Sequence, residues 1–210
     1  MAEPLTSNEQ NTGVSLYVVL AFGLIVAVVF FLAAGVPYLL PGSESIRGFA
    51  GREPWILAHI VAGGAAIFIG PFQIWMGLRR KALSVHRKLG YAYLTSIAVS
   101  SVSAFYLAAT TLNGWMFGLG LAGLGLAWVV TTGLAVIAVR KHDYLQHQEW
   151  MIRSYVVTFG FVFFRIFVVG SSILEVGEIR ERLTVASWIC WSLPLLVTEA
   201  AIQGRKIFRV

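Results

Sequence analysis

Long apolar runs alternate with short polar breaks along this chain. A bilayer core of about 30 Å takes about 20 helical residues at 1.5 Å each. Six runs reach that length: Val14–Val36, Trp55–Leu78, Leu89–Thr111, Trp115–Val139, Trp150–Ile173 and Val185–Ile202. Pro37 is expected to end the first, and Pro41, Gly42, Gly48, Gly51 and Pro54 mark the loop after it. Gly70 and Pro71 fall inside the second. A proline there removes a backbone donor and bends the helix, which a membrane helix tolerates when neighbours satisfy the freed carbonyl. The fourth run carries Gly118, Gly120, Gly123, Gly125 and Gly133, which permits close helix packing. Trp55, Trp115 and Trp150 each open a run, as interfacial aromatic belts do. The short breaks between spans two to five require antiparallel neighbours. The pattern therefore predicts a single-domain, all-α integral membrane protein with six transmembrane helices, spans two to five forming a four-helix bundle.

Composition agrees. The 210 residues are 58% hydrophobic and 12% charged, with mean hydropathy +0.77. Soluble domains run nearer a quarter charged, so too little polar surface is present to cover a water-facing globule. The net charge of +6 comes from bases placed between apolar runs, which suits lipid headgroups and topology and argues against nucleic acid. With the N-terminus inside, one side holds Arg79, Arg80, Lys81, Arg87, Lys88, Arg140, Lys141, Arg153, Arg205, Lys206 and Arg209. The other holds Arg47, Arg52, Arg180 and Arg182. This asymmetry predicts cytoplasmic termini in a bacterial inner membrane. The acidic N-terminus, Met1 to Gly13, lacks the basic start of a signal peptide, so the first run reads as a retained anchor. The single cysteine, Cys190, leaves no intrachain disulfide and no cysteine cluster.

Helical periodicity then places the polar residues. Residues four apart share a helix face, so His59 stands beside Gly63 and His86 beside Gly90. Each imidazole thereby adjoins a patch without a side chain, against which a flat ligand such as a porphyrin can press. The second span's stripe is His59, Gly63, Gly70, Gln73 and Gly77, and the third's is His86, Gly90, Tyr93 and Ser100. The fifth's is His147, Ser154, Thr158 and Arg165, the first and last being five turns apart, and the sixth's is Trp188, Ser192 and Glu199. Polar groups in hydrocarbon face the bundle interior, so these stripes predict either an enclosed ligand or close packing through small residues. By depth, Glu199 pairs with Arg153 rather than Arg165.

Three chemistries fit. A b-type haem takes one imidazole from each side. His86 and His147, at the same membrane side on alternate spans, are the candidate axial ligands. Gly90 would leave room for the macrocycle, and Arg87, Lys88 or Arg153 would meet its propionates. A metal site could draw on His142, Asp143, His147 and Glu149 with His86, although the spacing of five between the two loop histidines does not put both on one helical face. A quinone or other small-molecule pocket could form near His59, Gln73 and Arg165, since an arginine inside a membrane marks a functional hypothesis. Nucleophilic catalysis finds no serine, histidine and acid set. An accessory subunit of a larger membrane complex is the alternative to an electron carrier, because lipid-facing and partner-facing apolar surfaces look alike in sequence.

The segments HIVAGGAAIFIGPFQIW, LRRKALSVHRKLGYAY and HQEWMIRSY, from about Pro54 to Ile173, resemble the bacterial membrane proteins grouped as domain of unknown function 2306. That resemblance implies a multi-span architecture and carries no established activity. A looser likeness is to the cytochrome b-561 superfamily, whose members place a histidine near the start of one span and H-x-x-L-G on the next. The counterparts here are His59, then His86 through Gly90. This likeness implies a haem shared by alternate spans, matching His86 and His147. The fourth span holds no histidine, so the second haem of that superfamily has no complete ligand set.

Overall fold

The computed structural model describes residues 7–208, with side chains from position 17 onward. Arg209, counted above for topology, lies outside the described residues, as does the acidic start at residues 1–6. The described residues form helices α1 (Ser7–Phe30), α2 (Val36–Leu39), α3 (Glu44–Arg47), α4 (Glu53–Arg79), α5 (Leu83–Ala109), α6 (Trp115–Arg140), α7 (Tyr144–Thr158), α8 (Gly160–Ile173) and α9 (Ile179–Ile207). Six segments are long and apolar enough to cross a membrane: Tyr17–Leu39, Glu53–Arg79, Leu83–Ala109, Trp115–Arg140, Tyr144–Ile173 and Ile179–Ile207.

Several helices run past the apolar stretches, because caps rather than hydropathy set where a helix starts. Asp143 caps α7, its Oδ1 accepting from the Gln146 amide at 3.0 Å. Glu178 and Glu181 form a capping box that starts α9. His86 and His147 thus lie in helix beyond the apolar runs. The first span also outlasts Pro37. A π-helical turn at Phe31–Gly35 precedes it, in which the Val36 amide reaches back to the Phe31 carbonyl. The shift places Pro37 in the first turn of α2, where its missing donor leaves no helix bond unmade.

Spans two to five close into a ring. Helix α4 packs on α5, α5 on α6, α6 on α7, and α7 back on α4. Helix α9 lies outside, against α6, α7 and α8, and α1 lies against α4. The closing contact is specific. Pro71 leaves the Ile67 carbonyl without its intrahelical partner, and the Tyr155 hydroxyl of α7 donates to that carbonyl at 3.0 Å. The tyrosine ring lies where a Cβ on Gly70 would be, so only glycine admits it. On α6, missing side chains accommodate neighbours similarly. Gly120 receives Ser187, and Gly123 lies against Trp191 of α9.

Inside the ring, hydroxyls join α5, α6 and α7. Tyr93 Oη lies 3.2 Å from Ser154 Oγ and 3.0 Å from Thr158 Oγ1. Thr132 Oγ1 lies 2.8 Å from Ser154 Oγ, and the Trp128 indole donates to Thr158 at 2.9 Å. On the outside of the ring, Arg153 is 6% exposed and donates from Nε to Glu199 Oε2 at 2.7 Å. The Glu199–Arg153 pair expected from depth is therefore present, and Lys206 adds a bridge to Glu149 at 2.8 Å.

Two turns at one end carry an uncommon backbone. Arg80 after α4 (φ +49) and His142 after α6 (φ +62) are left-handed. Each closes its helix with the paired backbone bonds of a Schellman turn: Arg80 to Gly77 with Lys81 to Met76, and His142 to Val139 with Asp143 to Ala138. Glycine is usual at that position, and other residues cost about 1–2 kcal/mol there.

Tyr155→Phe is expected to orphan the Ile67 carbonyl and lower stability by about 1–3 kcal/mol. Gly70→Ala should cost a similar amount by overlap with the ring, about 1–3 kcal/mol. The two losses should be less than additive, as read by thermal unfolding of the detergent-solubilised protein. Glu199→Ala should cost about 2 kcal/mol by removing the short bond to buried Arg153, which would keep only the longer bridge to Glu149 at 3.8 Å. An unchanged melting temperature would show that the pair contributes nothing to stability.

Candidate functional site

Below the hydroxyl network the ring opens into a cavity of about 620 Å³, within the usual size for small-molecule and cofactor sites. Gly70, Gln73 and Gly77 of α4, His86 of α5, His142 of the α6–α7 turn and His147 and Tyr155 of α7 all line it. Three of the chain's four histidines therefore face one space. Helices α5 and α7 stand on a diagonal of the ring. Neighbours at 8–10 Å put diagonal helices about 11–14 Å apart, which is the widest gap the ring offers.

Each cavity histidine is held differently. His147 Nδ1 lies 2.9 Å from the Ala135 carbonyl. A carbonyl only accepts, so Nδ1 carries the proton and Nε2 keeps its lone pair free. The His86 ring lies against Gly77, with Cε1 3.4 Å from where a Cβ would stand. Its Nδ1 is buried without a hydrogen-bond partner among the described residues. The His86 carbonyl accepts from Gln73 Nε2 at 2.9 Å, which fixes the start of α5 against α4. His147, with its tautomer fixed and Nε2 free, has the form of an axial ligand, and His86 lines the same cavity. Gly77, without a side chain, lets the His86 ring edge lie close to α4.

Other expected site residues have different work. Gly90 is not on the cavity, and a Cβ there would meet Gln73 Oε1 at 4.0 Å. Its nearest neighbour there is therefore the glutamine that holds His86, and the glycine against the His86 ring is Gly77. His59 Nδ1 donates to the Ser100 carbonyl at 3.0 Å, and its ring meets Phe161 edge-on. Gly63 leaves space for the Ser100 hydroxyl, 3.3 Å from a would-be Cβ. His59 and Gly63 thus pack α4 on α5. Arg153 is engaged with Glu199 outside the cavity, so it is not placed to meet a propionate.

The small-molecule pocket expected around His59, Gln73 and Arg165 does not assemble. Fourteen helical residues separate His59 and Gln73 along α4, about 21 Å of rise. Arg165 is exposed on α8 and donates to the Tyr38 hydroxyl at 3.4 Å. It does not share a face with His147 either, because regular helix is interrupted at Phe159 (φ −78, ψ 0) between α7 and α8. The carbonyl freed by Pro71 goes to Tyr155, not to Arg165. The loop metal site also disperses. Asp143 caps α7 and Glu149 bridges to Lys206, and the described residues hold no cluster of three or more such ligands arranged for a metal ion.

Sequence reasoning missed Tyr155 and Arg80 as cavity residues, and it placed Gly77 on the interior stripe of the second span without pairing it with His86. For Tyr155 the one available signal was Pro71, which announces a carbonyl in need of a donor without naming the donor. For Arg80 the signal was a basic residue just past a helix end, which looks the same whether it faces water or a cavity.

No curated protein and no solved structure matches the chain, so the likeness to the cytochrome b-561 superfamily rests on histidine spacing alone. The family model described as a predicted membrane protein, DUF2306, matches residues 56–202. That match spans well over half of the 210 residues, from the start of α4 into the last turns of α9, and this chain belongs to the DUF2306 family of membrane proteins.

Proposed function

We propose that this protein is a b-type-cytochrome-like electron carrier of a bacterial inner membrane, with haem b held by His86 and His147. In this reading both termini and the basic mouth of the cavity face the cytoplasm, in keeping with the lysine and arginine asymmetry. The observation that carries it is the pair of imidazoles, on diagonal helices, lining one cavity of about 620 Å³. The fixed His147 tautomer supports it. Bound haem would supply one-electron chemistry. The chain's own part is to present two nitrogens, exclude water through Tyr155 and the ring above it, and anchor α5 through Gln73. Quinol, which shares the bilayer, is the donor or acceptor this placement favours.

One observation favours a second reading. Arg165 stands exposed in an apolar helix, and among the described residues its one hydrogen bond is a long one to Tyr38. A cation on a lipid-facing surface is costly, and a partner's carboxylate would neutralise it. That suits an accessory subunit of a larger membrane complex.

Protein purified from haem-replete cells should be red, with a reduced-minus-oxidised difference spectrum. His86→Ala and His147→Ala should each abolish that difference while leaving the helical circular dichroism unchanged. A colourless preparation that co-purifies with another membrane protein, and loses it on Arg165→Ala, would replace the first reading by the second.

A further inference from the structure

The mouth of the cavity has features that histidine ligation does not use. Arg80 and Arg87 line it together with His142. The nearby carboxylates are already engaged, since Asp143 caps α7 and Glu149 pairs with Lys206. Arg79, Lys81, Lys88, Arg140 and Lys141 add further positive charge in or beside the same two turns. The backbone points the same way. At Gly42, Gly51, Gly114 and Gly177 the chain meets a positive φ with glycine. In the two turns that border the cavity it places Arg80 and His142 at such positions instead. Ala82, in the first of these turns, and Glu175, at the opposite end, also have positive φ and do not line the cavity. Strained backbone of this kind is often found at functional sites, and at Arg80 and His142 it coincides with side chains that line the cavity.

We propose that Arg80, Arg87 and His142 form an anion clamp, which holds the carboxylate or phosphate end of an amphipathic ligand whose apolar body lies in the cavity. Arginine suits this role, because its fork of donors matches a carboxylate or phosphate in two parallel bonds. The apolar part of the site is supplied by Ile74, Leu78, Met151 and Ile152. The inference deepens the haem reading, since propionates are such anions, yet it rests on different residues and can survive that reading's failure. Two sources offer this chemistry: a porphyrin carboxylate and an anionic lipid headgroup.

The test uses Arg80→Gly, a substitution that relieves the left-handed backbone while removing the guanidinium. Haemin and haemin dimethyl ester, whose carboxylates are blocked, are titrated into the full-length protein in detergent and followed by visible absorbance. Wild type should favour haemin over the ester, and Arg80→Gly should weaken haemin about tenfold while leaving the ester unchanged. Equal effects on both probes, or none, overturn the clamp. If neither probe binds, the haem reading fails, and the lipid arm decides alone. In nanodiscs, phosphatidylglycerol should then raise the melting temperature of wild type relative to phosphatidylcholine, and should not do so for Arg80→Gly. An equal shift in both proteins, or no shift in either, overturns the inference. So does a melting temperature for Arg80→Gly well below wild type in phosphatidylcholine, which would assign Arg80 to the turn itself.

Discussion

The hydrogen bond from Tyr155 to the Ile67 carbonyl is the constraint on which the rest of this structure turns. In hydrocarbon no water is available to satisfy a backbone carbonyl, so the gap left by Pro71 must be filled by protein. Tyr155 fills it from span five, and its ring reaches that far because Gly70 has no side chain. The same residue therefore repairs a broken helix and fastens span two to span five, the edge that turns a row of helices into a ring. Tyr155 and Gly70 also line the cavity, so the contact that closes the ring also forms part of the wall of its internal space.

On either side of that contact the bundle does two different things. On one side, Tyr93, Ser154, Thr158, Thr132 and Trp128 satisfy one another across the interior. Hydroxyls that share partners in this way bind helices together and leave no polar group facing lipid. On the other side, no such bridge among the described residues joins α5 and α7, and the diagonal holds His86 and His147 around open space. Arg153 and Glu199 fix α9 to the outside of the ring at this end. Charge is thus used for assembly on the outer face of α7, while the His147 imidazole occupies its inner face.

The polar stripes of the sequence turned out to serve both packing and site. On α4, His59 and Gly63 accommodate Ser100, whereas Gly70, Gln73 and Gly77, two to four turns along the same stripe, border the cavity. Periodicity reports the face of a residue and is silent on its depth. Depth reasoning did identify the Arg153–Glu199 pair and the shared end of His86 and His147. It could not assign Gly90, which is near Gln73 and does not line the cavity. Nor could it place Arg165, because a break at Phe159 shifts the phase of everything after it.

Hydropathy and length alone determined the six spans, the all-helical class and the adjacency of spans two to five, since a bilayer allows few other ways to bury such runs. The clustering of basic residues at the two turns beside the histidines was equally visible. Only the tertiary structure decided which donor answers Pro71, which glycine lies beside His86, and which helix carries Arg165 out to the surface. Those outcomes depend on contacts between residues as far apart in the chain as Ile67 and Tyr155, and local pattern holds no record of them. The left-handed turns at Arg80 and His142 belong to the same class. Their sequences give no glycine to announce them, and the helix ends that force them are set by packing.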